Sequence, residues 1–240
     1  MAVSPAAPSG KDGLPIIAFA SPAGWGRWLA KHHGTSKGIW LKLAKKNAAT
    51  ASVTYAQALE VALRYGWIDG QKGALDEAFW VQRFTPRAAR SKWSKVNRDT
   101  ALRLIEEGEM TPAGLASVER ARRDGSWERA YDAPSTASVP GDLREALDMA
   151  PEAAAYFATL TGANRYAVLY RIQNAMKPET RTRLIHEFVA MLRRHETLYP
   201  QAGQRAGGKA SAPGSVTTVD AAVTPSRSRT SAASARSRTR

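Results

Sequence analysis

The sequence predicts an α+β fold, in which a small antiparallel sheet with packed helices is followed by a helical C-terminal extension. Apolar residues alternate with other residues over Ile39 to Ala44, which is the pattern of a half-buried strand. From residue 96 onward, apolar stripes of helical period prevail instead, and several begin at a proline. Both chain ends have low-complexity composition, which predicts a flexible leader over 1–15 and a disordered tail over 200–240.

Residues 16–95 are predicted to form an α+β domain of two helices and three strands. The second helix has the clearest boundaries, because Thr54 and Gln57 form a capping-box pattern and Gly66 stands where a C-terminal cap belongs. The predicted elements are a helix at 21–31, a strand at 39–44, a helix that begins after residue 54, and strands at 67–71 and 78–84.

Residues 96–199 are predicted to form a helical region that packs on the first half. Four of the six predicted helices start at a proline, which is tolerated there because its missing N–H would be unpaired at a helix start. The last helix carries an apolar stripe and is expected to dock against the others. The helices are predicted at 97–107, 112–122, 140–148, 151–159, 163–176 and 178–195.

Composition limits the classes of function. The 240 residues carry a formal net charge of +14, which predicts attraction to polyanions or acidic surfaces. The chain has no cysteine, so disulfides, thiolate nucleophiles and iron–sulfur clusters are excluded. No segment approaches the roughly 18 apolar residues of a membrane span, and we expect a cytoplasmic protein. The Ser-Arg alternation after residue 226 is consistent with loose, non-specific nucleic-acid binding or with a solubilising extension.

A run of cations between residues 83 and 98 is the first candidate site, because no acidic residue lies between Glu77 and Asp99. The run leaves a strand and enters a helix, where backbone donors and guanidinium groups can bind a phosphate or carboxylate. Trp93 offers a stacking face for a base or ring. Alternatively, Trp93 anchors the loop in the core and the cations are solvated. The cations are Arg83, Arg87, Arg90, Lys92, Lys95 and Arg98.

Two further candidates contain polar residues on elements predicted to be ordered. Asp69 lies on a strand that we expect to be largely buried, where a carboxylate needs a partner. It either pairs with an arginine of the basic loop or projects into a pocket as an acid, base or acceptor. Asn164 and Arg171 share one helix face and can reach one ligand together, although capping and interhelix hydrogen bonds also explain them.

The predicted ligand-binding residues are Asp69, Arg83, Arg87, Arg90, Lys92, Trp93, Asn97, Asn164, Arg165 and Arg171. No catalytic residue, metal site or cofactor is predicted. The four histidines lack the spacing with glutamate that marks a zinc helix. The chain also lacks a glycine-rich phosphate loop, a Gly-x-Ser-x-Gly elbow and a dinucleotide fingerprint.

Ordered motifs between about Phe19 and Glu196 resemble one family. They are Gly38-Ile39-Trp40-Leu41, Thr54-Tyr55, Gly66-Trp67-Ile68-Asp69-Gly70, Arg83-Phe84-Thr85-Pro86-Arg87, Ser91-Lys92-Trp93-Ser94-Lys95-Val96-Asn97, Gly108-Glu109-Met110-Thr111-Pro112-Ala113-Gly114, Asp124-Gly125-Ser126-Trp127, Ala130-Tyr131, Asn164-Arg165-Tyr166 and Thr180-Arg181. The chain resembles the YdeI/OmpD-associated (OmdA) family, also called bacteriocin-protection proteins. Typical members have Arg at the positions of Ala88 and Ser126.

The resemblance implies a bacterial, cytoplasmic protein whose first half is similar to the small α+β fold of YdhG and related families. It supplies no established catalytic residue. The leading hypothesis is a non-enzymatic stress or bacteriocin-tolerance factor that binds an anionic ligand or a protein partner through a basic aromatic cleft. One alternative is a non-specific nucleic-acid-binding protein, and a second is an enzyme that uses Asp69 with the arginines.

Overall fold

The α+β prediction is confirmed by a computed structural model that describes residue 10 and residues 12–201. The predicted tail lies outside the described residues except for its first two positions, as does most of the predicted leader. The elements in chain order are β1 (Ile16–Ala18), α1 (Pro22–His32), β2 (Ile39–Ala44), α2 (Tyr55–Arg64), β3 (Trp67–Ala74), β4 (Phe79–Pro86), α3 (Lys95–Glu106), α4 (Pro112–Arg123), α5 (Gly141–Asp148), α6 (Pro151–Ala158), α7 (Gly162–Gln173) and α8 (Pro178–Arg193).

The sheet is mixed rather than purely antiparallel. Its strand order is β1-β2-β4-β3, in which β4 pairs antiparallel with both β2 and β3. At the edge, β1 pairs parallel with β2, and Ile16 lies opposite Trp40. The prediction missed β1 because its three residues are too few to show a period. The register of β3 against β4 shifts between Asp69 and Lys72, so β3 bends beside Asp69.

Helices α1 and α2 cover one face of the sheet and form the first core. Trp25 is fully buried between them, and its indole N–H donates to the Ala58 carbonyl at 3.0 Å. The capping box predicted at the start of α2 is present, with Thr54 and Gln57 exchanging hydrogen bonds. Gly66 follows α2 with a φ of 70°, and a Cβ there would lie 2.8 Å from the Ala113 carbonyl oxygen. Glycine therefore permits the turn from α2 into β3.

The later helices form two further cores. Helices α3 and α4 enclose Leu104 and Val118 together with Trp93 and with Leu63 of α2. Helices α5 to α8 form the other core around Phe157, Ile172, Phe188 and Leu192. Across residues 12–201, no helix is both long and apolar enough to cross a bilayer.

The segment between α4 and α5 joins the two halves of the described chain. The Tyr131 N–H donates to the Trp93 carbonyl at 2.9 Å, and the Tyr131 carbonyl accepts from the Lys95 N–H at 2.8 Å. Asp132 accepts from the Gln173 side chain of α7 at 3.0 Å and contacts the Lys95 ammonium at 2.5 Å. This segment therefore holds α7 close to the loop between β4 and α3.

Candidate functional site

Arg87 is the most unusual charged residue in the described chain, because its side chain is only 6% exposed. It follows β4, and its backbone N–H donates to the Gly66 carbonyl at 2.9 Å. Its guanidinium carbon lies 3.6 Å from the ring centroid of Trp93, and its Nη1 donates to the Lys92 carbonyl at 3.2 Å. Both the backbone and the side chain of Arg87 are thus fixed.

One edge of the Arg87 guanidinium has no hydrogen-bond acceptor. Its Nε and Nη2 atoms are buried and unpaired. These two atoms lie on the same side of the group and form the side-on fork with which arginine binds carboxylate or phosphate. Arg181 uses the same two atoms to bind Asp142, at 2.6 and 2.9 Å. Arg87 therefore has a rigid bidentate donor edge that protein atoms cover but to which no protein acceptor is bound.

Burial changes the protonation energetics of this arginine. Loss of solvent lowers the pKa of Arg87 to about 10, although Tyr131 and Asp69 act to raise it. The group stays charged at neutral pH. Buried donors without acceptors cost about 1–3 kcal/mol each, and more when charged, so this edge favours an incoming anion.

Asp69 lies on β3 opposite Phe84 and is bound by a tyrosine rather than by an arginine. Its Oδ2 accepts a hydrogen bond from the Tyr55 hydroxyl at 2.7 Å. Within the described chain, no Lys or Arg nitrogen lies within 4.0 Å of its carboxylate, so the structure does not show the ion pair that was one of the two alternatives for Asp69. Burial raises the pKa of Asp69, while the Tyr55 hydrogen bond and the charge of Arg87 lower it by less.

Tyrosine rings from distant segments meet beside Lys92, and Asp69 and Arg87 influence the titration of one of them, Tyr131. The rings of Tyr131 and Tyr170 meet edge to face at 5.1 Å, and Tyr166 lies 5.7 Å from Tyr170. The Lys92 ammonium lies 5.3 Å from the Tyr170 ring centroid. Burial raises the pKa of Tyr131, Tyr166 and Tyr170, so their hydroxyls remain protonated donors at neutral pH.

The cations of the predicted basic cleft do not lie on one surface of the structure. Because successive strand residues face opposite sides, Arg83 lies on the other face of the sheet from Phe84 and Asp69. There it donates to Asp12 at 2.8 Å. Arg90 is exposed. Arg83 therefore belongs to a different surface from Arg87.

The remaining loop residues divide between core and surface. Trp93 is 2% exposed and packs edge to face on Trp127 at 4.9 Å. It therefore anchors the loop in the core, which was the alternative to a stacking face for a ligand. Lys92 is exposed, but partial burial lowers its pKa. Asn97 is buried in the first turn of α3, and its backbone N–H donates to Ser94 at 3.2 Å.

The candidate residues on α7 form a separate arrangement. Asn164 is 1% exposed, and its side chain donates to the Tyr199 carbonyl at 3.0 Å and accepts from the Tyr199 N–H at 2.9 Å. Arg165 lies over the Phe157 ring at 4.7 Å, and Arg171 is exposed. Asn164 therefore bonds the segment that follows α8 and also Thr161, the N-cap of its own helix, rather than another helix.

An open cleft of about 500 Å³ lies between α1, α2 and the segment after α3, away from these groups. Its carboxylates, Glu60 and Glu109, both contact Arg64, and Glu60 also binds Arg103 at 2.7 Å. The Arg64 Nε is unpaired, but the charge of Arg64 is compensated. In residues 12–201, no three His, Asp or Glu side chains converge in a geometry that holds a metal.

Tyr55, Tyr131 and Tyr170 were missed by sequence reasoning. Tyr131 stands in one of the family-like motifs, yet a tyrosine there fits an ordinary core equally well. Their convergence depends on contacts between residues that are far apart in sequence.

Two profiles of protein families match separate parts of the chain. Residues 17–117 match a domain of unknown function (DUF8412). Residues 136–195 match the family described as Bacteriocin-protection, YdeI or OmpD-Associated. The second match confirms the resemblance over residues 136–195, while the motifs before residue 118 fall in the first match. No curated protein and no solved structure matches the chain.

The site residues come from both matched parts. Asp69, Arg87 and Trp93 lie in the domain of unknown function, and Tyr170 lies in the YdeI/OmpD-associated region. Tyr131 lies in the segment between the two matches. The unpaired Arg87 edge is thus found where the two parts meet.

Proposed function

We propose that this protein is a non-enzymatic binding protein whose Arg87 edge receives the carboxylate or phosphate group of a small anionic ligand. The observation that carries the proposal is the pair of buried, unpaired donors on Nε and Nη2. Arg181 serves as an internal example, because its same two atoms hold a carboxylate. The name of the YdeI/OmpD-associated family further supports a role in bacteriocin or stress tolerance.

The surroundings favour a small ligand over a nucleic acid at this place. Trp93 is 2% exposed and already carries the Arg87 guanidinium on its ring, so it has no free face for a base. The donor edge is closed to water, and ligand entry therefore requires a neighbouring side chain to move. Single-stranded nucleic acid needs an open basic groove, so it does not fit this closed site.

The enzyme alternative rests on Asp69, because a buried carboxylate with a raised pKa suits proton transfer. Its contact with the Tyr55 hydroxyl holds it in place, but no residue beside it is an activated nucleophile. Binding without chemistry accounts for Arg87, Asp69 and Tyr55 with fewer assumptions.

Calorimetric titration of the full chain with acetate and inorganic phosphate tests the proposal. We expect saturable binding that Arg87→Lys weakens at least about 10-fold, since lysine keeps the charge and loses the fork. Arg90→Lys is the matched control, because Arg90 is an exposed cation of the same loop. Equal affinity in Arg87→Lys and wild type would refute the proposal. A loss in both variants that follows salt concentration steeply would favour polyanion binding instead.

A further inference from the structure

We infer that the ligand is an aromatic monocarboxylate, with its carboxylate on the Arg87 edge and its ring beside Tyr131 and Tyr170. This inference rests on the proposed function and specifies the class of ligand. It depends on three features of the site, which are its charge, its aromatic content and its position between the two matched parts.

The charge of the site fits a single negative charge. In residues 12–201, Arg87 is the one guanidinium whose Nε and Nη2 are both buried without an acceptor, and Asp69 lies near enough to influence its titration. A phosphate dianion would add two negative charges beside that carboxylate with one buried cation to compensate them. A carboxylate adds one charge, and its plane matches the planar fork of the guanidinium.

Tyr131, whose titration Arg87 influences, and its neighbour Tyr170 favour a ring on the ligand. The Tyr131 and Tyr170 rings already pack edge to face at 5.1 Å, and an aromatic ligand extends that arrangement. The Tyr170 hydroxyl donates no hydrogen bond to another part of the described chain, so it remains available to a polar substituent or to the carboxylate. The adjacent Lys92 ammonium also prefers the face of a π-system.

The ligand would join the two matched parts. Arg87 and Trp93 belong to the first, and Tyr170 belongs to α7 of the YdeI/OmpD-associated region. The Tyr131 backbone is bonded to Trp93 and Lys95, so its ring is held between them and Tyr170. Neither matched part contains the whole site.

The test compares benzoate with cyclohexanecarboxylate, which has a similar size and the same charge but no aromatic ring. We expect the full chain to bind benzoate about 2- to 12-fold more tightly, since an aromatic pair adds about 0.5–1.5 kcal/mol beyond buried area. Tyr170→Leu should remove this preference, and Tyr170→Phe should keep it. Tyr199→Leu is the control, because Tyr199 is half exposed and bonds Asn164 through its backbone.

Different results overturn the two proposals. Equal binding of benzoate and cyclohexanecarboxylate, with both lost in Arg87→Lys, overturns the aromatic inference and leaves the anion site standing. Tighter binding of phenyl phosphate than of benzoate overturns the assignment of a monocarboxylate. Failure of every carboxylate and phosphate to bind in an Arg87-dependent way overturns both proposals.

Discussion

Replacing Arg87 with methionine tests why a charge is buried at this position. Burial lowers the pKa of Arg87 from its ordinary value to about 10, and at about 1.4 kcal/mol per pKa unit the charged form is disfavoured by about 3 kcal/mol. In the opposite direction, the contact with Trp93 contributes about 2 kcal/mol and the bond to the Lys92 carbonyl about 1.5 kcal/mol. These effects nearly cancel. We therefore expect Arg87→Met to change the free energy of unfolding by less than about 1.5 kcal/mol.

Urea denaturation of the full chain without ligand measures this change. Arg181→Met provides the comparison, because Arg181 loses two bonds to Asp142 and one to the Ile172 carbonyl, and we expect a larger loss of about 2–3 kcal/mol. An Arg87→Met loss above about 3 kcal/mol, as when a buried ion pair is broken, would refute the reasoning. In that case Arg87 would be retained for folding and not for a ligand.

Two other predictions concern Asp69 and Gly66. The ordinary pKa of Asp69 is 3.8 and folding raises it, so wild type loses stability as the pH rises from about 3.8 through the folded pKa. Asp69→Asn should then be the more stable protein at pH 7 and equal to wild type near pH 3; denaturation at several pH values measures this. Gly66→Ala should lower stability by about 1–3 kcal/mol, because residue 66 has a φ of 70° and its Cβ would meet the Ala113 carbonyl. Thermal unfolding measures this loss of stability. Gly141→Ala is the control, because a Cβ at residue 141 would have no neighbour within 4 Å.

Each of these predictions has a clear contrary result. Destabilisation by Asp69→Asn at pH 7 would mean that the ionised carboxylate is held by a cation, contrary to the contact with Tyr55. A Gly66→Ala protein as stable as wild type would show that the turn after α2 relaxes at little cost.

The helices were predictable because their ends carry local chemical signals. Thr54 and Gln57 mark the start of α2, and prolines at 112, 151 and 178 open three later helices. Strand β1 was not predictable, since it is three residues long and is defined by its pairing with β2. Local signals therefore located the elements but not the edge of the sheet.

The candidate site was only partly predictable for a related reason. The basic run identified Arg87 but grouped it with Arg83. Strand alternation places residues four apart on one face, so it could not show that Arg87, which follows the end of β4, leaves the face of Arg83. Arg87 packs on Trp93, six residues away in the same loop, but the approach of Tyr170 to Lys92 arises from packing between segments about 80 residues apart. The spacing of residues within one segment does not predict contacts between distant segments.

The most direct test of the account follows the Nε–H group of Arg87 itself. In full-length protein labelled with ¹⁵N-arginine, this resonance is assigned by its disappearance in Arg87→Lys, and benzoate or inorganic phosphate is then titrated. The account predicts a saturable shift of the Arg87 resonance, while the Arg181 resonance stays in place because Asp142 already occupies its edge. An Arg87 resonance that does not move in either titration would contradict the central claim.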